Sequence, residues 1–414
     1  MNSSAPPKCR SCGADLTLTL VDLGQQPLAN SYIPQNRPPS DEARYPLHAR
    51  VCEKCWLVQV DDVVPADAIF HGDYAYFSSF SDSWLIHCRR YAIKMMDELR
   101  LGPRSLVVEI ASNDGYLLQY FKGAGVPVLG VEPSGNTAAE AEKKGVPTLV
   151  EFWTDALARR LRDEGKRPDL ICSANVLAHV PDINDFVRGV ATLLQGDAVY
   201  TVEFPHLLNL IRGTQFDTIY HEHYSYLSLI AVERIFAAAG LRVFEVEELS
   251  THGGSLRVWA CLDGASHATR PSVETVRAEE EEAQLHRREG YQGFTAKCEA
   301  VREGLNDFLT SAHHGRKTVA AYGAAAKGNT LLNYCGIGAD QITYCVDKNP
   351  AKQATLLPGS HIPVFDVDDL TRRPPDFLLI LPWNLKTEII GQLSDLRRGG
   401  TRFVTAIPCV SVTA

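Results

Sequence analysis

Apolar residues recur along this chain in two rhythms, one helical and one continuous. From about residue 85, SWLIHCRRYAIKMMDELRL spaces them as one face of a helix does. SLVVEIA then follows as an unbroken apolar run, the reading of a strand buried on both faces. A helix (YLLQYFKGAG), a strand (VPVLGVEP), a helix (NTAAEAEKKG), a strand (PTLVEFW), a helix (DALARRLRDEG) and a strand (PDLICSANV) come next. Strand and helix alternating in this way predict a doubly wound parallel sheet.

Further along, AVERIFAAAG predicts a helix, and LRVFEVEEL and SLRVWACLD predict strands. A long charged segment, SVETVRAEEEEAQLHRREGYQGFTAKCEAVREGLNDFLTSAHH, keeps apolar residues at helical intervals, with Glu279 to Glu282 read as a solvated helix face. A second alternation closes the chain: TVAAYGAAAKGNTLLNYCG, ITYCVDKNP, IPVFDVDDL, FLLILPW and TRFVTAI. It predicts another, smaller Rossmann-like unit. The first 70 or so residues hold too few apolar positions for a core of their own, so a structural staple is expected there.

Composition narrows the partners. At 414 residues the chain exceeds one hydrophobic core, so two or three domains are expected. With 45% hydrophobic and 22% charged residues it has the make-up of an ordinary globular protein. A net charge of -9 and a pI near 5.8 argue against nucleic acid and anionic membrane as partners. Neither a membrane span nor an export signal is read, so a cytoplasmic protein is expected. The 11 cysteines are then thiols or metal ligands rather than disulfides. Cys9-Arg-Ser-Cys12 and Cys52-Glu-Lys-Cys55 are two knuckles able to give four thiolates to a structural, tetrahedral Zn2+.

Three places carry candidate chemistry. Strand SLVVEI ends on Glu109, and Ala111-Ser112-Asn113-Asp114-Gly115 turns into a helix whose N-terminus faces any ligand held there. The next strand ends in Gly130-Val131-Glu132-Pro133-Ser134, where an acid can accept from ribose hydroxyls. Phe152 offers an aromatic edge to an adenine, and Ser173-Ala174-Asn175 closes the fourth strand on the same rim, with His179 soon after. In the second unit, Gly323-Ala324-Ala325-Ala326-Lys327-Gly328 opens a helix. It reads either as a phosphate turn neutralised by Lys327 or as a plain packing turn. Asp347 ends the following strand, as a ribose-binding acid or as a cap on the reversal at Asn349-Pro350. Finally TIYHEHYSY, residues 218 to 226, crowds proton-carrying groups together. Its histidines lack the His-x-x-x-His spacing of two ligands on one helix face, which counts against a catalytic metal. A loop suits it better than a strand, in which 221 and 223 would share a side opposite 222.

The ordered set CxxC...CxxC, HGDYAYFSSFSDSW, VVEIASNDGYLL, NVLAHVPD, TIYHEHYSYLS, THGGSLRVW, AAYGAAAKGNTLLNYCG and VDKNPAKQ resembles the S-adenosylmethionine-dependent nucleotide-sugar C-methyltransferases. These are the dTDP-4-keto-deoxysugar 3-C-methyltransferases of antibiotic and glycan biosynthesis. The likeness runs from Cys9 to the last strand, although Ala111 and Asn113 stand where class I methyltransferases usually have glycine. It implies a zinc-binding domain (residues 1–70), a class I methyltransferase domain (71–265) and a long helix with a Rossmann-like nucleotide-sugar domain (266–414). The donor would lie along Glu109, Ala111, Asn113, Asp114, Gly115, Glu132, Pro133, Phe152, Ser173 and Asn175. The implied catalytic set is Tyr220, Glu222, His223 and His179 with Tyr76. Tyr74, Tyr76, Ser78, Lys327, Asn329 and Asp347 are implied on the substrate side, with the choice between Tyr74 and Tyr76 open. A monomer fits a three-domain enzyme of this kind.

The chemistry follows from the reaction. Carbon beside a ketone becomes nucleophilic only after a proton leaves and the enolate oxygen is stabilised, so a base and an oxyanion holder are both required. Imidazole suits the base, which places His223 in that role with Tyr220 as partner or relay, Glu222 on a sugar hydroxyl or the imidazole, and His179 beside the sugar or enolate. The alternatives are methylation of oxygen or nitrogen, which needs no carbanion, and a non-catalytic nucleotide-sugar-binding protein.

Overall fold

The computed structural model describes residues 6–36, 42–61, 63–64 and 77–413. Its centre is a seven-stranded sheet in the order β11-β12-β9-β8-β5-β6-β7. These strands are β5 (Val107–Ile110), β6 (Val128–Val131), β7 (Thr148–Leu149), β8 (Leu170–Ala174), β9 (Val199–Pro205), β11 (Leu241–Leu249) and β12 (Ser255–Leu262). β5 to β9 run parallel, and β12 runs antiparallel to both neighbours. The chain moves outward from β5 through β6 and β7, then returns to place β8 on the other side of β5. That reversal opens a crevice beyond the carboxyl ends of β5 and β8.

The helices of this unit start where polar side chains satisfy the first free N–H groups. Ser81 caps Asp82–Glu98, Thr154 caps Asp155–Asp163, Asp182 caps Ile183–Leu193 and Ser228 caps Leu229–Ala238. β9 and the helix Ile183–Leu193 were not marked by the pattern. In β9, Thr201 and Glu203 interrupt the apolar run, yet both are buried because Tyr91 and Arg257 meet them with hydrogen bonds.

The C-terminal sheet has the order β16-β14-β13-β17-β18-β19, built from β13 (Val319–Tyr322), β14 (Cys345–Val346), β16 (Val364–Phe365), β17 (Phe377–Ile380), β18 (Arg402–Thr405) and β19 (Ser411–Thr413). All but the last edge pair are parallel. The long charged segment is two helices, Pro271–Glu282 and Phe294–His314, joined by a connection that includes a short 3-10 helix, Arg288–Tyr291. One expectation fails here. Glu280 is fully buried rather than solvated, because its carboxylate accepts from the Leu229 and Ile230 N–H groups (2.5 and 2.9 Å) and pairs with His206 Nε2 (2.7 Å).

The N-terminal module forms an antiparallel sheet of β1 (Leu18–Gln26), β3 (Tyr45–Val51) and β4 (Val58–Val60), completed by β10 (Ser225–Tyr226) from the far side of the chain. Among the described residues it has no closed core of its own. The Leu20, Leu47 and Val58 side chains join the cluster of the helix Phe294–His314, while Cys52, Cys55 and Leu57 pack with the central unit. A short strand, β2 (Ile33–Pro34), pairs with β15 (Thr355–Leu356) of the C-terminal unit. Among the described residues no helix is long and apolar enough to cross a membrane.

Candidate active site

The four cysteines converge. The sulfurs of Cys9, Cys12, Cys52 and Cys55 lie within 4.8 Å of one another, with Cys9–Cys55 and Cys12–Cys52 at 3.5 Å. A tetrahedral Zn2+ with bonds of about 2.3 Å needs sulfurs roughly 3.8 Å apart, so the cluster fits that ion closely. Gln59 Nε2 donates to Cys9 Sγ at 3.2 Å, and the Cys52 and Cys55 thiols hold the Cys9 thiol well below its usual range. This knuckle also abuts the crevice. Arg10 donates to the Pro181 carbonyl (3.2 Å) and Asn184 to the Ser11 carbonyl (2.8 Å), just after His179 in the chain.

At the crevice, Ala111, Asn113 and Gly115 all adopt left-handed backbone angles (φ 59°, 47° and 73°). The turn therefore has the shape that glycines usually give, and alanine holds it at a cost of about 1 kcal/mol. Gly115 has a second reason, since a Cβ there would press on Ala141 Cβ at 3.2 Å. Glu132 grips the turn, accepting from Asn113 N–H and Ser134 N–H at 2.9 Å each. Ser78 N–H donates to Asn113 Oδ1 (2.9 Å) and Ser79 bonds Asp114, which also pairs with Lys144 at 3.0 Å. Ser78 thus sits against the donor turn rather than on the substrate side. Asp114 Oδ1 and Asn175 Oδ1 are buried acceptors with no hydrogen-bond partner among the described residues. A ligand carrying ribose hydroxyls, an adenine amine and an ammonium group would supply the missing donors, so the site fits S-adenosylmethionine. Phe152, 53% exposed, and Pro133 stand on this rim.

Two expected donor contacts are corrected. Glu109 is fully buried beneath the turn, where burial first and neighbouring carboxylates next push its carboxyl far above the usual range. It presents no surface to a ligand. Ser173 is buried too, with its hydroxyl bonded to Tyr200 at 2.8 Å. Tyr74 and Tyr76 lie outside the described residues.

Within the stretch 218 to 226, residues 220 to 223 form a turn closed by His223 N–H to the Tyr220 carbonyl at 2.9 Å, and the stretch ends in β10. Its side chains fan out in three directions. His221 Nε2 bonds the Pro46 carbonyl (3.2 Å) in the N-terminal module. Glu222, buried, accepts twice from Asn30 Nδ2 (2.7 and 2.9 Å), so its carboxylate is tied to the N-terminal module and does not orient the imidazole. Burial lifts its carboxyl to about 6. His223 points inward. Its Nδ1 donates to the Thr218 carbonyl (2.9 Å), which leaves Nε2 as the acceptor for the Tyr220 hydroxyl at 2.7 Å. Burial foremost, then His179 and Lys327, hold His223 well below 6.5, so the imidazole is neutral. His179 lies edge-on, its ring centroid 4.5 Å from that of His223, and burial lowers it to about 4.

His252 joins this group, although no residue of the THGG segment had been singled out. It has a left-handed backbone (φ 54°), faces the similarly strained Asn175 (φ 57°), and meets its Nδ2 through Nε2 at 3.2 Å. Beneath it lies a cavity lined by Trp84, His87, Tyr91, Ala174, Glu203 and Arg257. Glu203 anchors that floor, accepting from His87 (2.8 Å), Arg257 (3.0 Å) and Thr251 (2.9 Å). Side-chain chemistry scattered over so many elements leaves no spacing signal for sequence reasoning to find.

The C-terminal unit closes the site. Asp347 accepts from Ala324 N–H (2.7 Å) and Asn349 N–H (2.8 Å), which is the capping alternative rather than a free ribose acid. Asn329 is buried and donates to the Ala29 carbonyl (2.7 Å), so it fastens the N-terminal module instead of reaching a sugar. A Cβ at Gly328 would meet Leu381 at 2.7 Å and one at Gly323 would meet Pro382 at 2.6 Å. Those small residues admit neighbouring protein, which corrects the reading of an open phosphate cradle. Lys327 instead turns inward over Trp383, with Nζ on Asn384 Oδ1 at 2.9 Å.

Three family models and a curated relative match this chain. Residues 9–70 match the family described as a zinc binding domain, 86–246 a methyltransferase domain and 250–408 a C-methyltransferase C-terminal domain. The C-methyltransferase NovU of Streptomyces niveus is 36% identical over 97% of this chain and 95% of its own. Among solved structures, magnesium protoporphyrin IX methyltransferase of Synechocystis PCC 6803 with bound SAH is 16% identical, with a TM-score of 0.36 over 47% of this chain and 92% of that one. An S-adenosylmethionine-dependent methyltransferase of Clostridium acetobutylicum ATCC 824 is 10% identical, with a TM-score of 0.34 over 42% and 90%.

Proposed function

This chain belongs to the S-adenosylmethionine-dependent C-methyltransferase family, and from that premise we propose that it methylates C3 of a nucleotide-linked 4-keto-deoxyhexose, carried on dTDP, in deoxysugar biosynthesis. Three domains divide the work at residues 1–70, 71–265 and 266–414, in a cytoplasmic monomer. S-adenosylmethionine supplies an electrophilic methyl group, and the chain's own residues make the carbon that accepts it.

One observation carries the reading: a neutral imidazole whose Nδ1–H is fixed on the Thr218 carbonyl and whose Nε2 lone pair meets the Tyr220 hydroxyl at 2.7 Å. A base of that form takes a proton on Nε2, either directly when Tyr220 swings aside or through the Tyr220 oxygen. Oxygen and nitrogen already carry a lone pair, whereas carbon has none until its proton is removed, so the dyad suits carbon best. His179 packs edge-on against His223 and lines the same space, and Asn175 and Glu132 stand on the donor side. Glu222 takes a sugar hydroxyl on the oxygen lone pairs that Asn30 leaves open.

The test is proton exchange. In D2O without methyl donor, the enzyme is expected to wash deuterium into the carbon beside the ketone of dTDP-4-keto-6-deoxyglucose, followed by mass spectrometry. His223→Ala is expected to lower that rate about 10²- to 10⁴-fold. Absence of exchange in wild type together with full methyl transfer by His223→Ala would leave a heteroatom methyltransferase as the reading.

A further inference from the structure

We propose that the Lys327 ammonium is the electrophile that holds the substrate's ketone oxygen as it becomes an enolate. The inference rests on the enolate reading above and assigns the group that reading requires but had left unnamed.

Lys327 is the second residue of the helix Ala326–Cys335, and its side chain is partly buried against Trp383 and Asn384. Nζ donates to the neutral Asn384 Oδ1 (2.9 Å) and lies 4.9 Å from the Trp383 ring centroid. The Trp383 indole N–H is fixed in turn on Asp217 Oδ2 at 2.7 Å, and Asp217 is fully buried. Among the described residues no carboxylate lies within salt-bridge distance of Nζ, and only one of its three N–H donors has a hydrogen-bond acceptor. Burial lowers Lys327 from 10.5, and the Asp217 carboxylate opposes that shift.

A partly buried cation without an ion pair carries a desolvation cost that is relieved when a negative charge arrives. The place that charge would arrive is set by the neighbours. Trp383, which lies under the ammonium, bonds Asp217, the neighbour of the Thr218 whose carbonyl holds His223. A Cβ at Gly253, next to His252, would meet Trp383 at 2.6 Å, so cation and base border one space. The charge of Lys327 accordingly lowers the basicity of both histidines. A diphosphate, carrying at least two charges, fits poorly. The turn's glycines are filled by Leu381 and Pro382, and Asp217 lies near the single ammonium. One developing oxyanion matches one preorganised ammonium with donors to spare.

The step balances without further reagents. The C–H electrons become the C=C bond, the carbonyl π pair moves onto oxygen, and the proton passes to His223 Nε2 by way of Tyr220. A Lys327 N–H hydrogen-bonds the resulting oxyanion. When the new carbon–carbon bond forms and the sulfonium–methyl bond breaks, the carbonyl is restored and Lys327 is released from the charge.

The experiment uses the zinc-loaded full chain and dTDP-4-keto-6-deoxyglucose, with Lys327→Met, Lys327→Arg and Asn384→Ala. Calorimetry gives sugar-nucleotide affinity, and deuterium wash-in at saturating sugar, without methyl donor, gives enolisation. Lys327→Met is expected to slow wash-in by about 10²- to 10³-fold with affinity changed less than about threefold, as for loss of one oxyanion donor. Lys327→Arg should recover part of the rate. Asn384→Ala leaves the cation in place but unfixed, and should slow wash-in by about tenfold, which keeps the test open should Lys327→Met not fold. Unchanged wash-in with affinity weakened tenfold or more would return Lys327 to the pyrophosphate and overturn the proposal, as would no change in either. If wild type itself shows no wash-in, the enolate reading fails; if wild type exchanges and both Lys327→Met and Asn384→Ala exchange as fast, only the present inference fails.

Discussion

Glu222 is a carboxylate held where burial opposes its charge. Its folded value is near 6 against an ordinary 4.5, with desolvation the main cause and the Asn30 hydrogen bonds and Lys352 working the other way. Between those two values the folded chain binds more protons than the unfolded one, so Glu222's contribution to stability falls as pH rises through that window and stays low above it. Glu222→Gln removes the penalty. It is expected to stabilise the protein by about 1–2 kcal/mol above pH 6, with the gain vanishing below pH 4.5, read from urea unfolding at pH 4 and pH 8. A gain equal at both pH values, or none at pH 8, would contradict this account. A more stable but slower enzyme is the expected trade if Glu222 takes a sugar hydroxyl as proposed. The strained backbones of Ala111, Asn113, Asn175 and His252 fit the same pattern, since all four ring the donor crevice.

Among the elements, the helix Leu229–Ala238 shows how a distant residue can fix one. Its first free N–H groups at Leu229 and Ile230 are taken by Glu280, 50 or so positions on, which also binds His206. Glu280→Ala would leave a buried histidine and two buried N–H groups without their acceptor, and is expected to cost roughly 3–5 kcal/mol in urea unfolding. Glu280→Gln keeps one acceptor oxygen and should cost clearly less. A loss under about 1 kcal/mol for alanine would show that water replaces the carboxylate. This residue also marks where sequence reading stops. The parallel strands were legible because strands buried on both faces are mostly apolar, as β5 and β8 are apart from Glu109 and Ser173. Glu280 reads as solvated because it stands in a run of four glutamates and its partners lie 50 to 74 positions away. In the site, Tyr220 and His223 were legible because one turn brings both together. Lys327, His252 and Asp217 meet only in the fold, and the glycines around Lys327 suggested a phosphate where the chain packs against itself.

At the scale of the whole molecule, the N-terminal module is a wedge between the other two units. One side of it, with Cys52, Cys55 and Leu57, packs on the central unit, and its sheet packs on the helix Phe294–His314. Its reach into the site is direct. β4 pairs with β10, immediately after the Tyr220–His223 turn, and Asn30 holds Glu222. The Tyr32 hydroxyl and Lys352 Nζ both donate to the Ala324 carbonyl, three residues before Lys327. The donor crevice owes less to the module: its turn is held by Glu132, Ser78 and Lys144, over a cluster that includes Met95, Leu118 and Phe121. Zinc removal should therefore separate the two halves of the reaction. Since a metal-stapled module loses its fold with the ion, a chelator or Cys12→Ser is expected to release the metal and lower deuterium wash-in at the sugar carbon by more than about tenfold. S-adenosylmethionine affinity, followed by calorimetry, should change less than about threefold. Parallel loss of donor binding would mean that the central unit cannot stand without the wedge, and undiminished wash-in would mean that the module does not hold the catalytic turn.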